Sequence, residues 1–125
     1  MLSETALVKA KNAIESLYTG TVTITEYQEY TKPNKSIGHR EVDVLTNAPC
    51  RLSFSSSAST NPQDNNASAL VQNIKVFLDP STVVKPGSKL TITQNGRTIE
   101  YKNSGEPAFY ATHQEINLEL FKGWA

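Results

Sequence analysis

Two short alternating runs, Leu90-Thr91-Ile92-Thr93 and Thr98-Ile99-Glu100-Tyr101, flank Gln94-Asn95-Gly96-Arg97. Asn-Gly tolerates the two positive-φ positions of a type I′ turn, whose twist matches that of the strands it joins. The segment therefore predicts a β-hairpin, and a hairpin needs further strands or a packed face before it is stable in water. Those strands are legible upstream. Thr21 to Tyr30 is rich in β-branched and aromatic residues, with Val22 and Ile24 on one face and Thr21, Thr23, Thr25 and Tyr27 on a wet one. The turn-rich basic link from Lys32 to Gly38 leads into a second strand around His39 to Leu45, so these two form a hairpin as well. Asn47-Ala48-Pro49 punctuates the chain, and a short strand follows with Cys50, Leu52 and Phe54 inward against Arg51 and Ser53.

Leu70 to Leu78 places Ile74, Val76 and Leu78 on one side and Phe77 on the other, the pattern of a strand buried partly on both faces. Asp79-Pro80-Ser81-Thr82 and Lys85-Pro86-Gly87-Ser88 are turns joined by Val83-Val84, and Asn103-Ser104-Gly105-Glu106-Pro107 is a further break. A last strand runs from Phe109 to Leu120, with Ile116, Leu118 and Leu120 alternating against Glu115, Asn117 and Glu119. Ahead of all this, Leu7, Ala10, Ile14 and Leu17 recur at helical spacing, with Ser3 as N-cap and Glu4 at the positive end of the dipole. A helix over about Ser3 to Ser16 is expected, stopped by Tyr18-Thr19-Gly20. The fold class is mainly β: a small antiparallel β-barrel or sandwich of six or seven strands, one N-terminal helix and a long polar loop, in one domain over residues 1–125.

Twelve basic side chains balance twelve acidic ones, so no global field draws in nucleic acid or an anionic membrane, and any DNA contact has to be local or geometric. The single cysteine, Cys50, excludes an internal disulfide framework. Met1 to Thr5 lacks the basic and apolar regions of a secretory signal, which predicts a chain made and folded in a cytoplasm. No run approaches the roughly 20 apolar residues of a membrane span. The Asn34-Lys35-Ser36 and Asn66-Ala67-Ser68 glycosylation patterns are then chance matches.

The residues that carry chemistry do not converge. His39 stands beside Arg40 and Glu41, and His113 lies between Thr112 and Gln114; neither has a partner at zinc-ligand spacing. Cys50 alternates with Leu52 and Phe54 like a small buried hydrophobe. The carboxylates fall mostly on the polar phase of strands, and there is no phosphate loop, nucleophile elbow or zinc motif. The expectation is a protein that is not an enzyme and takes no metal or cofactor. Tyr27 and Tyr30 can stack on bases, but no basic cluster surrounds them in the sequence, and packing across their hairpin is the better reading.

Between two strand patterns lies a run of about fifteen small polar residues, Ser55 to Ala69, with Asp64 its one charge. Such a segment contributes no core and has to be a loop with a task or a surface insertion without one. The candidate residues in it are Ser55, Ser56, Ser57, Ser59, Thr60, Asn61, Gln63, Asp64, Asn65 and Asn66. The ends form the other candidate surface. Leu7, Ile14 and Leu17 give the helix an apolar face, and Phe121 with Trp124 places two large rings near the C-terminus. Rings of this size either anchor in a partner or cap their own domain.

The order of these pieces carries a resemblance: the helix, Thr21-Val22-Thr23-Ile24, the segment Asn47 to Phe54, the turn Lys85-Pro86-Gly87-Ser88, and Tyr110-Ala111-Thr112-His113-Gln114-Glu115-Ile116. Together they resemble the minor capsid proteins of tailed bacteriophages and prophages, specifically the head-closure or stopper proteins of the head-to-tail connector. The resemblance implies a virion part in the neck. Its subunits form a ring, dodecameric in the family, on portal and adaptor proteins, close the channel over packaged double-stranded DNA without sequence specificity, and receive the tail. It also implies that Ser55 to Ala69 is the channel loop. Being almost uncharged, that loop would fill space and hydrogen-bond rather than grip phosphates. A tail-completion or tail-terminator protein is the near alternative, and an OB-like binding module a distant one.

Overall fold

The structure is a computed structural model that describes residues 4–58 and 70–124. Among them lie one helix, α1 (Glu4–Glu15), and seven strands: β1 (Gly20–Thr31), β2 (Ile37–Ala58), β3 (Leu70–Leu78), β4 (Lys89–Gln94), β5 (Arg97–Asn103), β6 (Ala108–Phe109) and β7 (Gln114–Leu120). All pairings are antiparallel, in the order β3-β2-β1-β4-β5-β7-β6, and β3 also pairs with β7. That last pairing closes the sheet. Leu118 stands opposite both Ile74 of β3 and Asn103 of β5, and Gln114 opposite both Leu78 of β3 and Phe109 of β6. β5 and β6 thus lie end to end along one edge of β7. The result is a near-ring rather than a regular barrel, because β1 meets β4 only over Thr21–Thr25 and β5 meets β7 only over Tyr101–Asn103.

The core is what the alternation predicts. Val22, Ile24, Val76, Leu90, Ile92 and Ile116 are almost fully buried, each contributing roughly 1.5–3 kcal/mol over its exposed state. Cys50 lies among them, and burial pushes its thiol up to about 12, so it is inert at neutral pH. The β4–β5 turn has Asn95 at φ 54° and Gly96 at φ 76°, as a type I′ turn requires.

Asn47-Ala48-Pro49 does not break the chain, because β2 runs through it for 22 residues. Val22 pairs with Ala48, Ile24 with Leu45 and Thr25 with Asp43, so β2 carries extra residues at two bulges. Asn47 takes a positive φ of 51° there. Pro49 costs nothing. Leu52 turns its N–H towards the β1–β4 side, so by antiparallel alternation the nitrogen of Pro49 faces the other edge, where β3 pairs only from Arg51 onward. Thr25, beside the second bulge, is buried, against the wet face expected for it, and its hydroxyl donates to Asp43 Oδ1 at 2.6 Å.

Three further expectations need correction. Phe54 keeps the inward phase of Leu52 but is 51% exposed, because β1 ends at Gly20 opposite Cys50 and nothing covers the strand beyond. Leu120 is 53% exposed at the end of β7 for the same kind of reason. The last strand is not continuous from Phe109: the Tyr110 N–H donates to the His113 carbonyl at 2.8 Å, a turn that divides it into β6 and β7.

Where β1 is missing beside β2, a side chain substitutes for a strand. Gln94 accepts from the Leu52 N–H at 2.8 Å and donates to the Leu52 carbonyl at 3.2 Å, as a peptide unit of a neighbouring strand would. Gln94→Ala leaves both backbone groups unpaired in a part-buried place and is expected to cost about 1–3 kcal/mol. Urea unfolding measures it; a loss within a few tenths of a kcal/mol means that water replaces the amide.

Candidate functional site

The polar run divides at the end of β2. Ser55, Ser56 and Ser57 belong to the strand, opposite Asn73, Gln72 and Val71 of β3, rather than to a loop. Small polar residues can join a ladder through their main chain alone where a strand pair leaves the core behind. Ser59, Thr60, Asn61, Gln63, Asp64, Asn65 and Asn66 lie outside the described residues. On the open side of this strand pair, Leu52, Phe54, Ile92, Arg97, Ile99 and Tyr101 line a cleft of about 380 Å³.

α1 spans Glu4–Glu15 close to the expected limits, yet none of its residues is buried. Leu7 and Ile14 are half-buried and Leu17 is exposed. The helix is tied down by one ion pair, Lys11 Nζ to Asp79 Oδ2 at 2.8 Å, and by a hollow of about 190 Å³ that Ile14, Leu17 and Tyr18 share with Arg51, Phe77 and His113. The Lys11 ammonium, then the hydroxyl and backbone N–H of Ser81, hold the Asp79 carboxyl well below the usual carboxylate range. A helix held in this way keeps part of its apolar face uncovered for other contacts.

At the other end of the chain, Phe121 and Trp124 fold back on their own sheet. The Trp124 ring lies parallel to Tyr27, 4.8 Å between centroids and 7° between planes, and Tyr27 stacks in turn on His39 at 5.1 Å. Phe121 meets Trp124 edge-on at 4.9 Å. The cage surrounds Lys89, whose side chain is 12% exposed. Its ammonium lies 3.2 Å from Glu41 and 3.1 Å from Glu100, and 5.4 Å and 5.9 Å from the Phe121 and Trp124 ring centres. Trp124 Nε1 donates to Glu41 Oε1 at 2.8 Å. That indole bond, then Lys89, lowers the Glu41 pKa; for Lys89, burial opposes the charge, but Glu100 and Glu41 outweigh it and raise its pKa. The sequence flags Tyr27, Phe121 and Trp124 but not Lys89, Glu41 or Glu100, which meet only because β1, β2, β4 and β5 bring them to one face.

The remaining candidates stay apart. His39 approaches Glu29 at 3.6 Å on the outer face, while His113 stacks on Tyr110 at 4.8 Å and reaches Glu115 at 3.2 Å. Among the described residues no group of three or more His, Cys, Asp or Glu side chains is placed to hold a metal ion, and no helix is long and apolar enough to cross a membrane.

The cage makes a testable unit, because Trp124 is the one tryptophan in the chain. A lowered carboxylate adds stability above its unfolded value, near 4.3, and loses it as pH falls through the folded value; a raised lysine adds it below about 10.4. The tail is therefore expected to stay docked from about pH 5 to 10 and to loosen in acid below about pH 4. Trp124 emission should then shift to the red and acrylamide quenching should rise, with Glu41→Ala giving the same change at neutral pH. Emission unaffected by both would mean that stacking alone holds the tail.

Comparison with known proteins adds one likeness of fold. No family model matches the chain, and no curated protein matches it in sequence. Among solved structures, the phage-like element PBSX protein xkdH from Bacillus subtilis is similar over 81% of this chain and 90% of its own, at 12% identity and a TM-score of 0.45.

Proposed function

We propose that this chain is a structural subunit of a phage head-to-tail connector, a head-closure protein that joins a ring below the portal and adaptor, helps to retain packaged DNA and presents a docking surface to the tail. The order of motifs from the N-terminal helix to Tyr110–Ile116 suggests the family. The observation that carries the reading is β2. At about 3.3 Å per residue its 22 residues have a contour length on the order of 70 Å, roughly four times that of an ordinary strand. Its first part pairs with β1 as far as Thr31 opposite Ile37, beyond the last β1–β4 pair at Thr25; its last part pairs with β3 as far as Ala58 opposite Leu70, beyond the last β3–β7 pair at Ile74. One continuous strand thus carries a hairpin past each end of the near-ring. A part that must touch one layer above and another below needs that shape.

In this reading the polar run is the segment nearest the channel, and α1 with its half-covered apolar face supplies a contact to a neighbour. The free chain is expected to be a monomer or a weak oligomer and to enter a ring only on its partners. Deleting the chain from the phage or prophage that encodes it should give DNA-packaging heads that leak their DNA and take no tail, while separate tails still assemble. Normal, infectious, tailed particles without it would contradict the reading.

A further inference from the structure

The hairpin formed by the end of β1 and the start of β2 carries three cations, Lys32, Lys35 and Arg40, and no acidic residue between Tyr30 and Arg40. In a neutral chain that is a concentrated local charge. Tyr30 pairs with Gly38 and Gln28 with Arg40, so Gln28, Tyr30, Gly38 and Arg40 share one face. The acids Glu29 and Glu41 fall on the opposite phase, where Glu29 approaches His39 and Glu41 binds Lys89 and Trp124, and Glu26, on the phase of Tyr30 but further from the tip, is engaged by Gln28 and Lys85. Among the described residues Lys32, Lys35 and Arg40 have no ion-pair partner.

The face is built rather than incidental. Gly38 lets the Tyr30 ring and the Lys32 stem lie directly on the backbone: a Cβ there would stand 2.7 Å from Lys32 Cε and 2.9 Å from Tyr30 Cε1. The Arg40 guanidinium caps the same ring at 5.2 Å from its centre. A half-buried tyrosine is thus flanked by two cations held by packing. The tip is a type I turn from Lys32 to Lys35, closed by the Lys35 N–H to the Lys32 carbonyl at 2.8 Å and by Asn34 Oδ1 accepting from the Ser36 N–H at 3.1 Å. Lys35 follows at φ 68°, a position that favours glycine or asparagine; an unfavourable residue that keeps a charge there points to use of the charge.

We infer that this hairpin face binds the phosphate backbone of nucleic acid, duplex DNA in particular, without reading sequence. Spaced, unpaired cations backed by an arginine stacked on an aromatic ring suit phosphates. A protein partner would want an exposed apolar or aromatic anchor at the centre of the patch; on this face the ring is covered by Arg40, and the exposed Ile37, opposite Thr31, falls on the other phase. The sequence hides the cluster because Tyr30 and Arg40 meet only across the hairpin. The inference rests on charge and register and stands apart from the connector reading, since it is tested on the purified chain.

Fluorescence anisotropy with a labelled duplex of random sequence should give salt-dependent binding. With about three phosphates neutralised, affinity should fall roughly 40-fold between about 50 and 200 mM NaCl. Lys32→Gln, Arg40→Gln and Lys35→Gly should each weaken binding several-fold and reduce the salt slope by about 1, equally for unrelated sequences. Lys35→Gly relieves the positive φ, so its loss of binding cannot be blamed on unfolding. The control Lys75→Gln, elsewhere on the sheet, should bind as the parent does. Absence of duplex binding at about 50 mM NaCl, or three variants with the parent's slope, would overturn the inference. So would sedimentation showing that these variants abolish only a salt-sensitive self-association.

Discussion

The fit of β7 between β3 on one edge and β5 and β6 on the other is the contact on which the molecule depends. Without it the seven strands are an open, twisted sheet with two raw edges, and Val76, Ile116 and Leu118 have no opposite wall. Closure gives a small core in which almost every inward residue of β1, β4 and β7 is buried. It also fixes where the sheet cannot close, at the gap beside Leu52, and there Gln94 stands in for the absent strand.

From that closed frame one strand escapes at both ends. β2 is long because its sequence holds register across two bulges, which accommodate the extra residues around Val44 and Asn47 without ending the ladder. The projecting hairpins have different chemistry. The β1–β2 tip is basic and rigidified by the Tyr30–Gly38 contact, whereas the β2–β3 end is serine-rich and almost uncharged.

The parts of the fold that were legible in the sequence are those fixed by local chemistry. Asn95-Gly96 dictates its turn, the period-two runs dictate which residues of β3, β4 and β7 face inward, and the spacing of Leu7, Ala10 and Ile14 marks α1. What was not legible depends on long-range register. Asn47-Ala48-Pro49 has the composition of a turn and is a bulge, because a strand that pairs on one edge at a time can hold a proline. Phe54 and Leu120 have the inward phase but lie past the end of the pairing on one edge, Phe54 beyond β1 and Leu120 beyond the β3–β7 ladder, so phase alone overstates their burial. Ser55 to Ser57 read as loop because nothing apolar marks them, although the main chain of β3 continues beside them. Of the candidate sites, the aromatic members of the tail cage could be named beforehand. Its charged centre at Lys89 could not, since Glu41 and Lys89 are 48 residues apart and meet only across the sheet.

The proposed joint has to occupy the place between the two things it joins. Under the proposed connector role, cryo-electron microscopy of phage or prophage particles assembled with a tagged copy of this chain tests that directly. The account predicts a ring of these near-ring domains on the head axis below the portal, with the β1–β2 and β2–β3 hairpins directed to different layers. A chain absent from purified particles, or found only along the tail or over the capsid shell, would contradict it.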